Sequence, residues 1–230
     1  MKKGLLALGA LFAICLSMLA TDMVVKQNNG EDQKINVVDT SETFLRFKIL
    51  SDSTVELTKE SSYRGYDPFT TLEYCGHNSI TIPEKVRIGR KVYTVTSIGI
   101  AAFEGCRSLT KIDIPESLTN IGENAFSGCY SLENISIPEG VTSIGNKAFY
   151  ACSSLTSINI PESVSSIGDW VFRLCTSLTS INIPESVTSI GKDAFWGCSN
   201  LDIVIDNSKK KVEVGWDAFE NCKSVTWLKD

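Results

Sequence analysis

The residues of this chain best placed to do chemistry are its cysteines. Cys106, Cys129, Cys152, Cys175 and Cys198 follow one another at intervals of 23, and Cys222 follows after 24. Zinc asks for a tetrahedral cluster, often announced by a Cys-x-x-Cys pair. No such pair is present, and His77 is the only histidine. Neighbouring strands of a parallel sheet lie about 4.8 Å apart, whereas disulfide Cβ atoms want about 3.8 Å and a twisted dihedral. Stacked cysteines are therefore expected to pack as small buried apolar side chains. The sequence carries no G-x-S-x-G elbow, phosphate-binding loop or H-E-x-x-H. It is read as non-enzymatic, with no cofactor and no metal.

A second set of residues is suited to recognition. The position after a recurring phenylalanine reads Ser127, Tyr150, Arg173, Trp196 and Glu220. Stacked repeats would set Tyr150, Arg173 and Trp196 in line, with the guanidinium between two rings in a cation–π arrangement. Tyr130 and Trp170 occupy other outward positions nearby. Tryptophan, tyrosine and arginine are enriched where binding energy concentrates. Tyr130, Tyr150, Trp170, Arg173 and Trp196 are thus the candidate contact residues. The alternative is that they stack on one another and shield the turns. Other outward positions are polar and nearly neutral, as in Asn134/Ser136, Ser157/Asn159 and Ser180/Asn182. Glu116, Glu139, Glu162 and Glu185 form a further column, read as solvated.

A fixed period in the twenties is the mark of a stacked solenoid. In the unit from Cys175, Leu178, Ile181 and Ile183 read L-x-x-I-x-I, with the last two alternating inward from a short strand. Pro184 ends that strand. Val187 and Ile190 form a second inward edge, Gly191 is expected to permit a sharp turn, and Phe195 fills the centre. One such unit cannot bury its flat faces alone, so neighbours and capped ends are needed. Residues 76–230 are read as repeats, with units near 76–105, 106–128, 129–151, 152–174, 175–197 and 198–221 and a partial unit at 222–230. Residues 40–75 are read as a β cap, because Phe47, Ile49, Val55 and Leu57 alternate around Ser51–Thr54 as in a hairpin. Residues 21–39 are read as a linker. Asp202-Ile-Val-Ile-Asp206, in the unit that lost its proline, is expected to break the inward phase.

The net charge of −5 argues against nucleic acid as a partner, since phosphate binding needs a basic face. Lys2 and Lys3 precede an apolar or small-residue run from Gly4 to Ala20. Residues 1–20 read as an export signal. A lipoprotein signal using Cys15 and an uncleaved membrane anchor are the alternatives, and all three take the chain out of the cytoplasm.

Ser154-Leu-Thr-Ser-Ile-Asn-Ile-Pro-Glu162, Val187-Thr-Ser-Ile-Gly191 and Ala125-Phe-Ser-Gly-Cys129 resemble the BspA-like, Treponema-type 23-residue leucine-rich repeats of bacterial surface proteins. The resemblance covers about residues 76–227. It implies a right-handed leucine-rich-repeat solenoid with a parallel β-sheet on one face and short β segments and turns on the others. It also implies a secreted or cell-surface protein with adhesion-type binding. The partner would be a protein, from host matrix or another surface, or a glycan. A structural spacer within a surface complex is the competing role.

Overall fold

The computed structural model describes residues 21–26, 32–39, 45–58 and 76–230. The signal run and Cys15 lie outside the described residues. The N-terminal part holds β1 (Thr21–Lys26), β2 (Asp32–Asp39), β3 (Phe47–Ile49), β4 (Thr54–Leu57), β5 (Ser79–Thr81), β6 (Lys85–Ile88) and β7 (Lys91–Ile98). Each later repeat supplies two short strands. These are β8 (Lys111–Asp113) and β9 (Asn120–Ile121), β10 (Asn134–Ile135) and β11 (Ser143–Ile144), then β12 (Ser157–Ile158) and β13 (Ser166–Ile167). They continue as β14 (Ser180–Ile183) and β15 (Ser189–Ile190), β16 (Asp202–Ile205) and β17 (Glu213–Val214), and end at β18 (Ser224–Trp227).

The strands stack into two parallel walls of a solenoid. One wall runs β5–β8–β10–β12 and β14–β16–β18, the other β7–β9–β11 and β13–β15–β17. Identical positions face each other across repeats, as in Ile135↔Ile158 and Ile167↔Ile190. Isoleucines of both walls point inward and are buried, because alternate residues of a strand share a face. The third wall has no strands. Its N–H groups donate one rung up instead: Lys147 to the Asp169 carbonyl (2.9 Å), Phe149 to Val171 (3.0 Å) and Ala151 to Arg173 (2.8 Å).

Phenylalanine forms the spine. Phe103, Phe126, Phe149, Phe172 and Phe195 are fully buried and stack with ring centroids 5.2–5.5 Å apart. Each offset pair is worth about 0.5–1.5 kcal/mol beyond its burial. Phe219 extends the stack at 6.1 Å.

Four expectations change. The glycine column is not a set of left-handed turns. A Cβ on Gly191 would lie 2.6 Å from the Asp169 nitrogen, and one on Gly145 2.5 Å from that of Glu123. Glycine is required there because successive rungs approach too closely for a side chain. The segment from Asp202 keeps its inward phase, with Ile203 and Ile205 buried in register with Ile181 and Ile183. The linker reading of residues 21–39 gives way to β1 and β2, which pair antiparallel, with β2 continuing in parallel onto β6. Runs such as Met23-Val24-Val25 and Val37-Val38 favour strand. Finally, Cys106 is disulfide-bonded, while Cys129, Cys152, Cys175, Cys198 and Cys222 are free.

The cap hairpin forms as read, with Phe47 opposite Leu57 and Ile49 opposite Val55. Its β4 lies in parallel beside β7 and covers the end of the second wall. Lys209, Lys210 and Lys211 are exposed on a turn.

Candidate binding edge

The free thiols serve packing. Each donates to a phenylalanine carbonyl of the preceding rung, Cys129 to Phe103 at 3.1 Å and Cys152 to Phe126 at 3.2 Å. Burial pushes the thiols of Cys129 and Cys198 up to about 12 and that of Cys222 to about 11. Those of Cys152 and Cys175 also rise well above the ordinary value, chiefly through burial. Such thiols are poor nucleophiles, because the thiolate is the reactive form. Among the described residues no group of three or more His, Cys, Asp or Glu is placed to hold a metal ion.

The third wall carries two adjacent columns of outward side chains. The first follows the spine and reads Glu104, Ser127, Tyr150, Arg173, Trp196 and Glu220. The second reads Ala101, Asn124, Lys147, Trp170, Asp193 and Asp217, all at φ between 51° and 57°. Asparagine and aspartate tolerate this left-handed region, whereas a bulky side chain costs about 1–2 kcal/mol there. A second left-handed position precedes each cysteine. Gly105, Gly128, Gly197 and Asn221 fill it, but Ala151 and Leu174 take it in two adjacent rungs. Apart from Ala101 at the start of the column, the unfavourable choices Lys147, Ala151, Trp170 and Leu174 thus cluster around Tyr150 and Arg173.

The rungs from Glu104 to Arg173 enclose an open depression of about 520 Å³, lined by Glu104, Asn124, Ser127, Lys147, Tyr150, Trp170 and Arg173. Three of the five candidate residues therefore meet in one place. Trp196 joins them through Arg173, whose guanidinium lies 4.1 Å from its ring centroid. Arg173 Nη1 is also 2.6 Å from Asp193 Oδ2, and Trp170 Nε1 donates to the same oxygen at 2.8 Å. Asp193 is only 6% exposed, so both partners are held firmly. This corrects the expected guanidinium between two rings: Asp193 draws Arg173 onto Trp196. No cation–π contact to Tyr150 is found among the described residues. Tyr130 stands apart, with the Arg107 guanidinium 5.4 Å from its ring.

Asp193, Lys147 and Arg107 were missed in the sequence, yet a signal existed. Lys147 Nζ lies 4.8 Å from the Trp170 ring centroid. Arg107–Tyr130, Lys147–Trp170 and Arg173–Trp196 each join one slot of the repeat to the same slot one turn on. Trp170–Asp193 follows the same rule.

The wall of β8, β10, β12 and β14 offers a different surface. Shallow polar depressions of about 530 and 550 Å³ run over Asn134, Ser157, Asn182 and Lys111, Asp113. Many of its polar groups bind one another. Asn159 Nδ2 donates to the Ile137 carbonyl (2.8 Å) and Oδ1 accepts from its N–H (2.9 Å). Ser157 donates to Asn134 Oδ1 at 3.0 Å.

A parallel β-solenoid with 23-residue turns, a phenylalanine spine and a thiol column is a bacterial leucine-rich-repeat architecture. The model of the BspA type leucine-rich repeat region matches residues 96–226 in six copies, and the chain belongs to that family. Among solved structures it is similar to the T. pallidum leucine-rich repeat protein, at 26% identity over 80% of this chain and 83% of that one, with a TM-score of 0.59. It is also similar to a leucine-rich cell surface protein of Faecalibacterium prausnitzii A2-165, at 31% identity over 78% of this chain and 52% of that one, with a TM-score of 0.56. A leucine-rich repeat protein of Eubacterium ventriosum ATCC 27560 shares the fold at 21% identity, over 75% of this chain and 49% of that one, with a TM-score of 0.53. The chain spans about half the length of the last two. No curated protein matches it.

Proposed function

We propose that this chain is an exported, non-enzymatic binding module that makes adhesion-type contacts at a bacterial surface through its third-wall edge. The observation that carries this reading is the clustering of Lys147, Ala151, Trp170 and Leu174, all left-handed, around Tyr150 and Arg173. Strained backbone of this kind tends to persist where function retains it. That the similar Faecalibacterium prausnitzii protein is a cell surface protein supports the location. So does the disulfide at Cys106, a bond favoured in oxidising compartments. The partner is a protein of host matrix or another cell surface, or a glycan displayed there.

The spacer role has its own support. Tyr130, Trp170 and Trp196 each lie against a cation of the preceding rung, which stiffens the rod without any partner. Trp196→Ser separates the two. The binding reading expects wild-type melting with lost capture of matrix or envelope components. Unchanged capture with lower melting makes the tryptophan part of the rod.

A further inference from the structure

We propose that the C-terminal end of the rod is a docking surface for a second copy of this chain, and that the two copies meet end to end about a two-fold axis. The last rung breaks the pattern of those beneath it. Trp216 stands in an outward slot that Glu123, Asn146, Asp169 and Lys192 fill in the four preceding rungs, and it is 83% exposed. Leu228 stands one rung above Asp206 and is also exposed. Val214 continues the buried column of Ile144, Ile167 and Ile190, yet it is exposed, and Phe219 is only partly buried. Terminal rungs of a solenoid need a polar outer face to stay soluble alone. This one turns apolar where its neighbours are polar, which marks an interaction surface.

Hydrogen-bonding groups at this end select the occupant. In lower rungs the third-wall N–H groups donate upward, as Asp193 does to the Trp216 carbonyl (2.9 Å), Phe195 to Ala218 (2.8 Å) and Gly197 to Glu220 (2.9 Å). The corresponding N–H groups of Asp217, Phe219 and Asn221 have no acceptor among the described residues. On the second wall the carbonyl of Thr188 accepts from Glu213 at 2.9 Å, and that of Val212, one rung on, has no donor among them. β17 and β18 are the open edge strands of their walls, each with a row of N–H and C=O groups for another strand. Donors, acceptors and edges thus lie on different walls of one end, a pattern that a two-fold turn can set against itself. Charge is arranged likewise, with Glu213, Asp217 and Glu220 near Lys210 and Lys211 on the turn between β16 and β17. At the opposite end β4 lies beside β7 and covers the second wall, so a head-to-tail fibre would meet a different surface. The two-fold contact closes on itself. The dimer carries two third-wall edges, but the contact does not depend on what those edges bind.

The test is analytical sedimentation of the full chain from about 1 to 100 μM. A reversible monomer–dimer equilibrium is expected. Trp216→Lys gives its slot the side-chain type found one rung below at Lys192, and Leu228→Asp gives its slot the type found at Asp206. Each should weaken dimerisation about tenfold or more while leaving the circular dichroism spectrum unchanged. Tyr130→Ser, on a rung far below, should dimerise like the wild type. Should one end variant fail to fold, the other decides. A chain that stays monomeric at about 100 μM overturns the proposal, even where Trp216 then proves to hold a different protein. So does association that continues past the dimer, or a dimer that neither end variant weakens.

Discussion

Two surfaces of this rod share one core and differ in how they treat it. The strand wall over β10, β12 and β14 repeats small polar residues, and its Asn159 carries two backbone hydrogen bonds for a neighbouring rung. The third wall varies from rung to rung and places Trp170 and Leu174 in left-handed backbone that Asp, Asn or Gly fills in most other rungs. A polar sheet face that satisfies its own groups stays soluble and needs no partner. Bulky residues at unfavourable dihedrals cost stability, and the proposed binding role accounts for their retention at this edge. The difference teaches where to look for recognition, and it can be broken or sharpened by substitution.

The largest effect should come from the spine, which both surfaces need. Phe149→Ala removes one fully buried ring from the middle of the stack and should cost about 3–5 kcal/mol, read as a lower denaturation midpoint. Loss of one surface with the other intact would show the two to be independent units.

The thiol column gives the next effect, shared by both surfaces and dependent on pH. An unfolded thiol loses its proton near the ordinary value of 9.0, whereas Cys129 and Cys198 hold theirs to about 12. These thiols therefore contribute stability that is fully present below pH about 9. It is lost as pH rises toward 12, because the unfolded state sheds protons first. Denaturation midpoints should fall between pH 8 and 11, and less steeply in Cys152→Ala/Cys175→Ala. Equal slopes in the two proteins would contradict the assignment.

Smaller effects separate the two surfaces. Asn159→Ala should lower stability by about 1–2 kcal/mol, since it strands the N–H and carbonyl of Ile137, and should leave binding unchanged. Ala151→Gly should raise stability by about 1 kcal/mol, because glycine is at ease at φ 56°. A fall in melting temperature would mean that the alanine methyl matters more than the dihedral.

The repeat made most of the rod legible from sequence. Inward Leu, Ile, Val and Phe columns recur at fixed spacing, and hydrophobic burial ties them to one face. The cap hairpin was readable for the same reason, through the alternation of Phe47, Ile49, Val55 and Leu57. The role of Gly145 and Gly191 was not, because a close approach between rungs leaves no local mark. Neither was the disulfide at Cys106, since the 23-residue column made it look like its neighbours. At the edge, residue types pointed to Tyr150, Trp170, Arg173 and Trp196. The partner choice of Arg173 needed the three-dimensional position of Asp193, 20 residues on and buried in the next rung.

The central claim is that the edge, and not the sheet face, meets the partner. It is tested most directly by binding of the purified chain to immobilised host-matrix and bacterial envelope fractions, comparing wild type, Trp170→Asn and Asn182→Ala. Asparagine already occupies the Trp170 slot two rungs earlier, at Asn124, and Asn182 is exposed on the strand wall. The account predicts that Trp170→Asn weakens binding by about tenfold or more while Asn182→Ala binds like the wild type. Loss of binding in Asn182→Ala with Trp170→Asn unaffected would contradict it.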